Sequence, residues 1–207
     1  MAFIATATPD EADSIVTAMY MRQQSSWGFV PNYAKVFSHR PEVLARWGQL
    51  LAEIKRPMDK RRFELVTFAA AHELANTACT LAHGKKLREF FVDDDIVAIA
   101  AGRLGALSDG EQAMLRFARQ VVRDASSITS AQVDAMKAHG LSDAEVFDIA
   151  ATAAGRAFFA KLLDALGVEP DSPFLALESA LREPLTVGRP IDERPSLTMP
   201  VATPQIA

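Results

Sequence analysis

The 207-residue chain is 49% hydrophobic and 23% charged, with 22 Lys and Arg against 26 Asp and Glu and a single cysteine. A chain of this length buries roughly 70% of the surface its unfolded form exposes, so one core can hold it, and the lone Cys79 excludes an internal disulfide framework or a cysteine-only metal cluster. A formal charge of −4 supplies no global basic field for nucleic acid or an anionic membrane, and without a secretory leader or an apolar window near the roughly 20 residues of a membrane span, the expected compartment is the cytoplasm.

In chain order, the first structural signal is Thr8-Pro9-Asp10-Glu11, a hydroxyl residue followed three positions later by Glu. That spacing predicts a capping box, in which the hydroxyl accepts from the N3 amide and the N3 side chain returns to the cap amide. Pro41 then suits the first turn of a helix whose apolar stripe is Val43, Leu44, Trp47, Leu50, Leu51 and Ile54, closed by Pro57. Helices are expected over 59–75 and 76–90, with only polar Asn76-Thr77 to separate them. Asp93-Asp94-Asp95 reads as a helix start with carboxylates at the positive dipole end. Ser108, Thr129 and Ser142 open three more boxes, and the last precedes a long stripe, Val146 to Leu163, that ends at Gly167. No stretch alternates apolar and polar residues between turn signals, so the fold class is all-α.

Beyond Gly167 lie seven of the eleven prolines, with room for one short helix over 173–182. From Glu183 onward regular helix is not expected. The reading is therefore one helical domain over 1–168 and a Pro-rich carboxy-terminal arm over 169–207. Leu185, Val187, Ile191, Leu197, Met199, Val201 and Ile206 would anchor the arm, on a neighbouring subunit among other places.

The chemistry concentrates between Glu64 and Gly84. Cys79 and His83 are four apart, so a helix puts both on one face, where an imidazole can take the thiol proton directly or through a water. A helix starting at Asn76 places Cys79 in its first turn, where free amides favour a thiolate; two effects would then lower one pKa. Taken alone, a cysteine in such a helix is more often a small buried hydrophobe, and the histidine more often a helix-surface residue than a base. His72 could add a polar group to the same pocket or be a plain helix histidine. Cys79, His83 and Glu64 make a poor metal set without a second sulfur, and no glycine-rich loop cradles a phosphate, so neither a metal nor a cofactor is expected. Trp27, Phe29, Tyr33, Phe37, Phe158 and Phe159 read as core or pocket walls.

Glu64, then Cys79-x-x-x-His83-Gly84, resembles the core pattern of the AhpD-like superfamily of alkylhydroperoxidases, peroxidase-related proteins and carboxymuconolactone decarboxylases. Cys79 falls on the family's second cysteine and Asn76 on its first. Phe29-Val30-Pro31-Asn32-Tyr33 with Ser38-His39-Arg40-Pro41-Glu42 is similar to the amino-terminal region of peroxidase-related members, and the likeness runs over about 25–170. The resemblance implies a helical bundle that forms homo-oligomers. It further implies a peroxidatic Cys79 served by a proton relay of His83 and Glu64, and a resolving step that Asn76 cannot perform, so an external thiol would act as reductant. A second reading is cofactor-free acid-base chemistry on a small organic acid or lactone. A third is a non-catalytic binding or assembly protein.

Overall fold

The computed structural model describes residues 2–200. Ten α-helices follow in order among them: α1 (Ser14–Trp27), α2 (Asn32–Val36), α3 (Pro41–Lys55), α4 (Lys60–Glu73), α5 (Thr77–Leu87), α6 (Asp93–Ala100), α7 (Asp109–Asp124), α8 (Ser130–Ala138), α9 (Asp143–Ala165) and α10 (Ser179–Leu185). The only strand-like pairing among the described residues is an isolated antiparallel bridge between Val30 and Leu197. No helix of the described residues is long and apolar enough to cross a membrane.

Ser108 and Ser142 close full capping boxes with Glu111 and Glu145, and at Thr129 the side chain of Gln132 accepts from the Thr129 amide at 2.8 Å. The first box differs from expectation. Thr8 and Glu11 close a turn, through Thr8 N–H and Oγ1 to Glu11 Oε2 at 3.1 and 2.8 Å. The cap of α1 is instead Asp13, whose carboxylate accepts from Ile15 and Val16. The buried stripe of α1, Val16, Met19 and Tyr20, starts behind Asp13, so packing selects the later of two local caps.

Helix α4 is the axis of the bundle, buried on every face from Phe63 to Ala71, and packed against α5, α7 and α9. Its fully buried Leu65, Val66 and Phe68 each contribute about 1.5–3 kcal/mol relative to exposure. Two apolar clusters meet along it. One joins α4 to α8, the first half of α9 and α10; the other joins α1, α2, Leu44 of α3 and the end of α9, and it contains Cys79. Helix α5 lies at the seam between them.

The expected helix over 173–182 is split into a 3₁₀ turn at Ser172–Ala176 and α10. The expectation of no regular helix after Glu183 is corrected too, since α10 runs to Leu185 with Pro184 inside it. In a helix this short, proline's missing N–H forfeits one terminal bond, and the fully buried Leu181 and Leu185 offset it. Gly84 permits that docking: a Cβ there would stand 2.5 Å from Leu185 Cδ1. Further on, Gly188 N–H donates to Thr77 Oγ1 at 2.8 Å, and a Cβ on Gly188 would run into the Ala75 carbonyl oxygen. Val30 N–H then donates to Leu197 O at 2.7 Å, and Gln24 pairs with both backbone groups of the buried Met199. The described part of the arm thus packs on its own chain; Val201 and Ile206 lie outside the described residues.

Candidate active site

Asn76 starts α5 from an extended conformation, and its Oδ1 accepts from the Cys79 amide at 3.0 Å. The chain reverses into that cap through Ala75, a non-glycine residue at φ 53. Cys79 is therefore in the first turn of α5, as its spacing predicts, and Ala78, Cys79, Ala82, His83 and Lys86 form one stripe along the helix. The stripe faces a cavity of about 340 Å³. Phe29 and Pro31 wall it from the α1–α2 connection, Tyr33 from α2, Trp47 from α3, Phe63 from α4, and Phe159 from α9. Trp47 is fixed there by donating to Gly155 O at 3.2 Å and by stacking on Phe159, centroids 4.2 Å apart.

Glu64 and His83 meet beneath this surface. Both are buried, and His83 Nδ1 lies 2.5 Å from Glu64 Oε2, with Lys86 Nζ 3.7 Å from the other carboxylate oxygen. Burial opposes ionisation of Glu64, but the His83 hydrogen bond and the charges of Lys86 and Lys55 outweigh it and hold its pKa below the usual value. Burial, more than Glu64 can offset, pushes His83 down to about 4, with Arg156 and Lys86 acting in the same direction. At neutral pH the pair is a carboxylate and a neutral imidazole. Nδ1–H donates to Glu64, which leaves Nε2 as the basic nitrogen.

The thiol departs from expectation. Burial pushes the Cys79 pKa up, with Asp164 acting in the same direction and Arg156 opposing. Arg156 Nη1 donates to Cys79 Sγ at 3.5 Å, while no hydrogen bond joins the Cys79 and His83 side chains, both of which line the cavity. Arg156 is only 4% exposed, its guanidinium lies 5.5 Å over the Trp47 ring and 5.7 Å over Phe159, and its buried Nε has no partner. The sequence reading missed it. Its signal was a charge on the buried stripe of α9, where Thr152, Arg156, Phe159 and Leu163 recur at four, three and four residues.

The structure brings Cys79, His83 and Glu64 together and leaves two expected pocket residues outside. Asn76 does not line the cavity; it caps α5 and its Nδ2 donates to Asp164 Oδ2 at 3.0 Å. His72 also lies off the cavity, with its ring 6.2 Å from Phe68. Trp27, Phe29, Tyr33 and Phe159 are cavity walls, whereas Phe37 is core and Phe158 is exposed. Among the described residues no group of three or more His, Cys, Asp or Glu is placed to hold a metal ion.

No protein-family profile and no curated protein matches the chain. Its likeness is to solved structures. A peroxidase-related protein from Ralstonia eutropha, described as an alkylhydroperoxidase AhpD core, superposes with a TM-score of 0.74 at 22% identity, over 85% of this chain and 95% of that one. A peroxidase-related protein from Silicibacter gives 0.68 at 18% identity, over 84% and 93%. The debrominase Bmp8, as a cysteine-to-alanine variant in complex with 2,3,4-tribromopyrrole, gives 0.66 at 15% identity, over 88% and 95%. The chain is similar to each of these structures over nearly the whole of that structure, and it has the fold of the one described as an alkylhydroperoxidase AhpD core.

Proposed function

We propose that the protein is a thiol-dependent oxidoreductase acting on hydroperoxides, with Cys79 as nucleophile. The observation that carries this reading is the placement of the sole cysteine on an apolar cavity, with a guanidinium on its sulfur and a neutral imidazole on the same helix stripe. The names of the two peroxidase-related neighbours point the same way.

In the proposed reaction His83 Nε2 takes the thiol proton, and Arg156 holds the thiolate that forms. Glu64 keeps the imidazole in the tautomer that can accept, and stabilises the imidazolium. The sulfur attacks the outer oxygen of ROOH, an S–O bond forms as the O–O bond breaks, and the alkoxide leaves as ROH with the proton from His83. Cys79 becomes a sulfenic acid. Asn76 occupies the position of the resolving cysteine, so an external thiol must displace water to give a mixed disulfide. A second thiol then releases a small-molecule disulfide and the reduced enzyme.

One equivalent of cumene hydroperoxide in the presence of dimedone should give the dimedone adduct on Cys79 by mass spectrometry. Turnover with hydroperoxide and dithiothreitol should fall about 10³-fold or more in Cys79→Ser. An unmodified Cys79 under conditions that oxidise a control thiol enzyme sinks the proposal. A Cys79→Ser variant with full activity on an organic acid or lactone, beside an inactive His83→Ala, would select the lyase reading in its place.

A further inference from the structure

We infer that the cavity beside Cys79 recognises a small aromatic carboxylate, with Arg156 as its anion partner. The inference rests on reading this cavity as the substrate site and names the class of molecule it takes.

Arg156 has an incomplete set of hydrogen bonds. A guanidinium carries five donors and stays charged at any ordinary pH. Arg156 is 4% exposed, yet Nη1 meets only the weakly accepting Cys79 sulfur and Nε meets nothing. A buried cation without a carboxylate partner is costly, and the two aromatic rings at 5.5 and 5.7 Å compensate it only in part. The carboxylates nearby are engaged elsewhere: Glu64 by His83 and Lys86, Asp171 by the Asn32 amide at 2.8 Å. With Nε enclosed and Nη1 meeting only the sulfur, the terminal Nη edge is what Arg156 offers to the cavity it lines, and the two oxygens of a carboxylate can accept from it.

The rest of the cavity sets the other half of the molecule. Its walls are mostly aromatic, with Trp47 and Phe159 stacked at an interplanar angle of 12°. Flat rings in offset or edge contact suit such walls better than a flexible chain. The volume of about 340 Å³ is at the small end for ligand sites and suits a single ring. Lys55 and Lys86, both exposed, stand among the lining residues and add positive charge to the approach. The carboxylate would lie next to Cys79 Sγ, which places the reducible group of such a substrate close to its own acid group.

Titration of the full-length protein, followed by calorimetry and by fluorescence of Trp27 and Trp47, tests this without turnover. Benzoate should bind about tenfold or more tighter than benzyl alcohol, and Arg156→Met should abolish that difference. Saturating benzoate should slow alkylation of Cys79. The inference is overturned if benzyl alcohol matches benzoate on the unaltered protein, if octanoate binds tighter than benzoate, if Arg156→Met keeps the preference, or if benzoate leaves alkylation unchanged. The comparison of the three ligands on the unaltered protein needs no variant to fold. Dimedone trapping uses no aromatic acid and the titration uses no peroxide, so either proposal can fail while the other stands.

Discussion

The two sides of α5 handle polar groups in opposite ways. On the side turned to the bundle and the arm, hydrogen bonds are closed: Asn76 Oδ1 to the Cys79 amide, Asn76 Nδ2 to Asp164, Thr80 Oγ1 to Asn76 O at 2.8 Å, and Gly188 N–H to Thr77 Oγ1. On the cavity side, Arg156 keeps a buried Nε without a partner, Cys79 has a raised pKa, and His83 is held neutral by burial. Satisfied polar groups define a structure, since each removes a desolvation penalty. Arg156, unsatisfied at Nε and set against the sulfur, marks the cavity face as the candidate site.

The largest effect that separates the two sides is expected at Arg156. Methionine in its place removes the cation that counters burial of the thiol, so iodoacetamide should alkylate Cys79 at pH 8 about tenfold more slowly or worse. Stability should hold or rise, because an unpaired buried charge gives way to an apolar side chain of similar length. Arg156→Lys should recover part of the alkylation rate. Alkylation unchanged in Arg156→Met would remove the guanidinium from any role at the sulfur.

A second contrast concerns pH. Burial, against the Asn32 amide, raises Asp171 at the cavity from 3.8 to about 6. Between those values the folded protein holds a proton that the unfolded chain has released, so this group's contribution falls as pH rises from about 4 to 6. In Asp171→Asn that loss is absent. Relative to the unaltered protein, the variant's stability should climb across this window by up to about 3 kcal/mol, at 1.4 kcal/mol per unit, and then level off. Urea unfolding at pH 4, 5, 6 and 7.5 measures the difference. His83 acts in the opposite sense: its pKa is depressed from 6.5 to about 4, so its contribution is lost as pH falls through that range. The two partly cancel in the unaltered protein, and only the variant exposes either slope. A difference that does not change with pH would show that Asp171 titrates normally.

How much of this was legible depends on the range of the interaction. Ser108 and Ser142 could be read because a capping box closes within four residues. Thr8 has the same local pattern and misleads, since only the packed stripe behind Asp13 decides between two caps. The helix pair around Asn76 was legible as an uncertain break; Ala75 at φ 53 and the arm's Gly188 against it complete the corner, and the arm's contribution comes from more than a hundred residues away. Glu64, Cys79 and His83 stood out by resemblance to a spacing. Arg156 carried only a charge on an apolar stripe, which does not say what the charge meets. That required α9 to be placed across the cavity from α5.

The smallest expected effect bears on Asn76, where sequence and structure give different roles. By resemblance it falls on the first cysteine position of the family pattern; by geometry it is an N-cap turned away from the cavity. A cap of this kind contributes about 1 kcal/mol, and Asn76→Ala also leaves Asp164, whose pKa burial raises, without the amide that opposes the rise. The variant should therefore lose about 1–2 kcal/mol in urea unfolding, while the pH profile of Cys79 alkylation keeps its midpoint. The cap accepts from the backbone amide of Cys79, whereas the sulfur's hydrogen bond comes from Arg156, so removal of the cap frays the first turn and leaves the guanidinium in place. A midpoint that moved by a full unit with little loss of stability would reverse the assignment. Asn76 would then belong to the reactive side of α5, and the division between its two faces would not hold.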